Sequence, residues 1–239
     1  MVTLSAAWPG ARDRTLADVL LLAMDTATPA VTVALYGEGR VLASWEQIDA
    51  RRHGELLMPA VDRVLTSAGR KISEVTSLVV GNGPGPYTGL RVGLVTAATL
   101  GAALSVPVYG LCTLDGIAYA AGQAGLTGPF VVATDARRKE VYWARYTDAR
   151  TRATGPAVDR AGELPAEVTA LPAAGAGALL YADAFADPRR DAPQHASAGA
   201  LAALAAEHLA AGEEPGPPHP LYLRRPDAQV PAGYKVVTP

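Results

Sequence analysis

Three short stretches of this chain carry residue types that can do chemistry. The first is Asp25-Thr26, which ends the apolar run Leu20-Leu21-Leu22-Ala23-Met24. A carboxylate at a strand-to-turn junction can orient a metal-bound water, and a hydroxyl beside it can touch phosphate. The plainer alternative, that both side chains satisfy turn amides, is favoured on the residues alone. The second stretch is Gly81-Asn82-Gly83-Pro84-Gly85-Pro86-Tyr87-Thr88-Gly89. Its glycines let backbone amides approach an anion, and a helix N-terminus follows, a geometry that binds phosphate. The loop is neither GxxxxGK[ST] nor GxGxxG and contains no lysine, so a rigid Pro-Gly turn explains it equally well. Asp25, Thr26, Gly83, Gly85 and Thr88 are accordingly the candidate nucleotide or phosphate contacts. The third stretch, Asp135-Ala136-Arg137-Arg138, is either an exposed turn or a hairpin that offers Arg137 and Arg138 to RNA or to a partner protein.

No complete catalytic set accompanies these loops. There is no HExxH, no Ser/His/Asp arrangement and no nucleophilic cysteine motif. The histidines (His53, His195, His208, His219) are dispersed, and Cys112 is the sole cysteine, which excludes an intrachain disulfide and a thiolate metal cluster. Catalytic residues and metal ligands are therefore assigned as none.

The elements that must position these loops follow from periodicity. Leu20 to Met24 is a buried strand. Val31, Val33 and Leu35 alternate with small or polar residues, and residues 41–45 return after Gly37-Glu38-Gly39. This predicts a three-stranded antiparallel meander. Residues 53–68 predict a helix with Leu57, Val61, Val64 and Ala68 on one stripe, flanked by Leu56, Ala60 and Leu65, with Pro59 a misfit. Residues 78–80 form a short strand that enters the glycine loop. Residues 90–104 form a second helix with small residues at helical spacing, Gly89, Gly93, Ala97 and Gly101. Strand 106–111 and helix 113–121 follow, the latter capped by Thr113. Residues 130–135 and 141–146 then repeat the strand-turn-strand opening, which suggests two similar lobes. Beyond 151 the pattern weakens: a strand at 179–181, a helix at 198–211 and an edge strand at 221–223 are expected.

Composition sets the outer limits. An apolar fraction of 49% against 18% charged residues is ample for a core. A net charge of −2 and a pI near 6.1 argue against strong RNA binding by this chain alone. The apolar run at 19–24 is far short of the ~20 residues that span a bilayer, so a cytoplasmic protein without a membrane partner is expected.

Several stretches together resemble the TsaB (YeaZ) family. They are Leu21 to Thr28, His53-Gly54-Glu55-Leu56-Leu57-Met58-Pro59, Val80 to Leu94, and Asp135 to Tyr142. The resemblance spans about residues 20–225 and is strongest from 20 to 145. It implies an α/β, actin-like ATPase (ASKHA, ribonuclease H-like) fold with two lobes, each a mixed sheet with helices. The expected division is a flexible extension at 1–18, an N-terminal lobe at 19–111, a C-terminal lobe at 112–225 and a mobile tail at 226–239. It also implies a non-catalytic activating subunit of the bacterial complex that adds threonylcarbamoyl to tRNA adenosine. The partners would be a catalytic TsaD-like subunit, a TsaE-like ATPase and, indirectly, tRNA, with a homodimer when the partner is absent. ATP and metal would belong to the partner subunits, with no cofactor in this chain. Catalytic relatives carry a metal-binding His-x-x-x-His where this sequence places Thr113 and Ile117, which cannot replace it. In the family the two N-lobe helices pair with the catalytic subunit, which nominates Leu56, Leu57, Val61, Gly93, Ala97 and Gly101 as interface residues. The alternative is that the small-residue ladder faces this protein's own sheet. Lys139 stands where family members often have glycine. The rival classes are an actin-like ATPase or phosphotransferase using Asp25 and the glycine loop, and a glycoprotein endopeptidase.

Overall fold

A computed structural model describes residues 19–224; the expectations for residues 1–18 and for the tail lie outside the described residues. The first strand, β1 (Leu20–Asp25), is buried along its whole length. Leu20, Leu22 and Met24 point into one core cluster, and Leu21 and Ala23 into another. That is the period of two of extended backbone with an apolar layer on each side. β1 pairs antiparallel with β2 (Ala30–Gly37), and β2 with β3 (Arg40–Ile48), which is the expected meander. β1 also pairs in parallel with β4 (Ser77–Gly81), which pairs in parallel with β5 (Val108–Leu111). The strand order is β3-β2-β1-β4-β5.

The second sheet contains β6 (Phe130–Asp135), β7 (Glu140–Asp148), β8 (Thr151–Arg160), β9 (Pro172–Ala174) and β10 (Asp187–Pro188) in the order β10-β9-β6-β7-β8. Its antiparallel meander β6-β7-β8 with β9 in parallel beside β6 repeats the plan of β1-β2-β3 with β4. The duplication hinted at by two strand-turn-strand runs is therefore a duplication of sheet topology.

Six α-helices among the described residues cover these sheets: α1 (His53–Ser67), α2 (Tyr87–Leu104), α3 (Thr113–Gln123), α4 (Ala166–Thr169), α5 (Ala176–Leu180) and α6 (Ala198–Ala210). α1 and α2 pack on one face of the first sheet through Leu57, Val61, Val64, Leu90 and Leu94. α6 and Tyr119 of α3 cover the other face. Leu114, Ile117 and Ala118 of α3 pack on Phe130, Val132 and Tyr146 of the second sheet, whose far face is closed by Val168 and Ala178. The architecture is the two-lobed actin-like α/β fold. A division at 111/112 separates the two sheets, yet α6 crosses back to pack on the first.

Several local expectations are corrected. α2 starts at Tyr87, directly after Pro86, rather than at Leu90. Pro59 lies inside α1, on its exposed side, where a carbonyl deprived of its donor can be hydrated. Residues 179–181 are not a strand: Leu179 and Leu180 end α5, whose buried positions are Gly177 and Ala178. β8 went unpredicted because it is an edge strand with mostly exposed residues and no apolar alternation. Residues 221–223 form no strand; the Leu221 amide donates to the Asn82 carbonyl instead.

The expected partner-facing ladder is also corrected. Gly89, Gly93, Ala97 and Gly101 are buried within this protein, Gly93 and Gly101 against its own strands and Gly89 against Thr26 and His53. A β-carbon on Gly101 would sit 2.2 Å from Val108 Cγ2, and one on Gly93 would sit 2.7 Å from Thr26 Oγ1. Leu57 and Val61 are likewise buried in the lobe, and only Leu56 of the nominated set is partly exposed. The small residues are there because α2 lies tight on β4 and β5. By length and composition α2 alone among the described helices could cross a membrane, and its glycine stripe packs on the sheet.

Candidate functional site

The glycine loop and the β1 turn meet at the carboxyl ends of β1 and β4, and α3 supplies the group that joins them. Asp25 Oδ1 accepts the Ala27 amide at 2.8 Å, closing the turn. Its Oδ2 accepts the Thr113 hydroxyl at 2.7 Å. Thr113 Oγ1 in turn accepts the Gly83 amide at 3.1 Å, and the Thr113 amide donates to the Gly83 carbonyl at 2.8 Å. Thr113 was expected to cap α3; Cys112 occupies that position, and the threonine hydroxyl is committed to Asp25. Thr26 makes a second tie: its hydroxyl donates to the Gly89 carbonyl at 2.7 Å and accepts the Gly93 amide at 2.9 Å.

Two glycines permit this crowding. A β-carbon on Gly81 would lie 1.7 Å from Asp25 Oδ2, and one on Gly85 would lie 2.0 Å from the Ala27 carbonyl oxygen. These glycines therefore serve close approach of the chain to itself. Asp25 is fully buried, and burial pushes its carboxyl up to about 6, against the opposing pull of the Thr113 and Ala27 hydrogen bonds and of His53. Asp25, Thr26, Gly83 and Gly85 are brought together, but the Asp25 carboxyl and the Thr26 hydroxyl are spent on hydrogen bonds within the chain, and Thr26 also borders the cleft beside them.

Beside this knot lies an open cleft of about 250 Å³, lined among others by Thr28, Arg51, His53, Tyr87, Thr88 and Arg137. His53 is held by a 2.9 Å hydrogen bond between Nε2 and the Thr28 carbonyl. The N-termini of α1 and α2 both adjoin the cleft, and among the described residues its lining includes no carboxylate. Arg137 reaches it from the β6–β7 turn, where Arg137, Arg138 and Lys139 have φ of 64°, 56° and 64°. That left-handed conformation costs a non-glycine residue about 1–2 kcal/mol, which explains why glycine suits position 139. The cleft can attract an anion, and it contains no paired nucleophile and base.

At the start of α3, Asp115 accepts the Tyr146 hydroxyl at 2.7 Å and pairs with Arg152 at 3.1 Å. Burial raises its carboxyl, and Arg152 and Tyr146 oppose the shift. This cluster ties α3 to the second sheet. Neither it nor the Asp25–Thr113 bond, which spans 88 residues, left any local signal in the sequence. Ile117 is fully buried in the core below.

Comparison with known proteins gives a consistent picture. Residues 46–175 match the family model of TsaD, tRNA N6-adenosine threonylcarbamoyltransferase. An uncharacterised protein of Mycobacterium tuberculosis is 44% identical over 212 residues, 87% of this chain and 93% of its own. The tRNA threonylcarbamoyladenosine biosynthesis protein TsaB of Escherichia coli is 38% identical over 126 residues, 53% of this chain and 54% of its own. The solved structure of YeaZ from Pseudomonas aeruginosa superposes with a TM-score of 0.75 at 31% identity, covering 86% of this chain and all of that one. With a solved YeaZ structure covered over its whole length at 31% identity and TsaB relatives beside it, the chain belongs to the TsaB (YeaZ) family.

Proposed function

We propose that this chain is a non-catalytic partner subunit in the biosynthesis of threonylcarbamoyladenosine on tRNA, pairing with a catalytic TsaD-like protein in the cytoplasm. The observation that carries this reading is the state of Thr113 and Ile117. They stand where the resemblance places the metal-binding histidines of catalytic relatives. Thr113 spends its hydroxyl inside the Asp25 knot, and Ile117, fully buried, has no donor atom. These residues do not fit a metal, so the metal and ATP belong to the TsaD-like and TsaE-like partners, and tRNA is contacted through them. The names of the TsaB relatives supply the pathway.

The pairing surface is assigned to the outward side of α1 and α2. Met58 and Val95 are 47% and 63% exposed there, large apolar side chains on neighbouring helices that a partner could cover. A second copy would use the same face when the catalytic partner is absent.

The test is reconstitution. The chain alone is expected to leave tRNA unmodified and to co-purify with the organism's TsaD-like subunit. With TsaE-like ATPase and substrates, omitting this chain is expected to remove most of the modification. Modification by the isolated chain, or failure to co-purify, would overturn the proposal.

A second reading, an anion-binding protein of the actin-like ATPase class, is favoured by Arg51 and Arg137 in the cleft, whose described lining holds no carboxylate. Calorimetry of the isolated chain with ATP and magnesium decides it: stoichiometric binding supports this reading.

A further inference from the structure

After α6 the chain returns across the molecule as an extended segment that touches both lobes. Its sequence, Pro215-Gly216-Pro217-Pro218-His219-Pro220, is stiff and has little conformational freedom to lose on docking. The Gly110 amide of β5 donates to the Gly216 carbonyl at 2.8 Å. A β-carbon on Gly110 would lie 2.7 Å from Pro217 O and from Pro218 Cα, so this glycine lets the segment lie flat on the strand. The Leu221 amide donates to the carbonyl of Asn82, the residue after β4, at 2.8 Å. The Leu221 side chain packs on the cluster that contains Cys112, Ile117 and Phe130. The Tyr222 ring lies 5.0 Å from that of Tyr87, and its hydroxyl accepts Arg91 Nε at 2.9 Å. Arg224 donates to the carbonyl of Ala136, the residue after β6, at 3.0 Å and pairs with Glu140.

The backbone groups these contacts engage lie on β5 and on the residues that follow β4 and β6, with Tyr222 on α2 and Arg224 also on Glu140 of β7. In α/β sheets, the crevice beyond the carboxyl ends of the strands is where ligands bind. We propose that residues 216–224 are a strap: an intramolecular occupant that closes this crevice and fastens the second lobe to the first. Beyond its backbone bonds to Gly110 and Asn82, the strap is fastened at two side-chain anchors, Tyr222 on α2 and Arg224 on the β6–β7 turn, and is releasable at them.

Cys112 makes a reporter, because it is 6% exposed, is the sole cysteine and sits in the cluster that Leu221 covers. The experiment compares the full chain with Tyr222→Ala/Arg224→Ala, substitutions at partly exposed side chains. Native-state labelling of Cys112 by a small thiol reagent is expected to accelerate at least about tenfold in the variant. Amide exchange at Gly110 and Leu221 should accelerate with it, while exchange at Leu22 and Met24 in β1 stays unchanged. Unchanged Cys112 labelling and Gly110 exchange would overturn the strap. Equal acceleration in β1 would overturn it too, because the segment would then be part of one cooperative core rather than a separate device. Arg224→Ala alone, which keeps the Tyr222 anchor, should give a smaller acceleration in the same positions.

Discussion

Replacing Val95 with aspartate is expected to leave the chain folded and to weaken the proposed binding to a TsaD-like subunit by about 100-fold or more. Val95 is the most exposed large apolar residue described, and it lies on the outer side of α2. In the free chain a charge there meets water and costs little. In a complex it would be buried against an apolar partner without a counter-charge. Leaving a charged group buried without a partner costs about 3 kcal/mol or more, and about 2.7 kcal/mol is 100-fold in affinity. Gly101→Leu should behave in the opposite way. It points at β5, where even a β-carbon would lie 2.2 Å from Val108 Cγ2. Overpacking costs about 1–3 kcal/mol and more where backbone must move, so a lowered unfolding midpoint is expected, with normal affinity for the molecules that remain folded. Thermal unfolding and a titration against the catalytic subunit read both. Normal binding by Val95→Asp, or lost binding at an unchanged midpoint in Gly101→Leu, would show that the partner sits elsewhere.

The stability of the chain should carry a signature of Asp25 between pH 4 and pH 6. The carboxyl titrates at its ordinary 3.8 when unfolded and at about 6 when folded. Because the folded state holds the proton more tightly, this group's contribution to stability rises as pH falls from 6 toward 4. Well above pH 6 both states are ionised, and the buried charge imposes its full cost, on the order of 3 kcal/mol at about 1.4 kcal/mol per unit. Asp25→Asn removes the titration while keeping an acceptor for the Ala27 amide and an amide that can donate to Thr113 Oγ1. Urea unfolding at pH 6.5 and pH 4.5 therefore tests the knot. The wild-type chain should gain about 2 kcal/mol more than the variant on acidification between these two pH values, with every other carboxylate common to both. Parallel curves would mean that Asp25 is not buried in the way described.

The chemistry of the knot has a functional corollary. A carboxylate that stays bonded to Thr113 and the Ala27 amide is a structural pin at the carboxyl end of β1. It fixes the glycine loop and hence the start of α2. Loss of Asp25 would therefore disturb the helix pair that is proposed to meet the partner, at a distance from any partner contact.

What the sequence determined by itself was whatever is encoded within one element. The continuous apolar run of β1, the alternation of β2 and the stripe of α1 each specify a local geometry and a buried face, so strands, helices and the repeated strand-turn-strand plan were legible. The glycine loop was legible as a place of close approach, though not what approaches it. What only the tertiary structure decided was which surface each face meets. Gly93, Ala97 and Gly101 announce a backbone contact through their size alone, and size does not say whether the neighbour is this chain's own sheet or another protein. The hydroxyl of Thr113 fits a helix cap as well as it fits a buried carboxylate; its bond to Asp25 exists because β4, β5 and α3 bring together residues 88 positions apart. The path of residues 216–224 across both lobes follows from the same cause. Their composition fixes a stiff extended chain, while its docking site is assembled from strand ends that no single stretch of sequence contains.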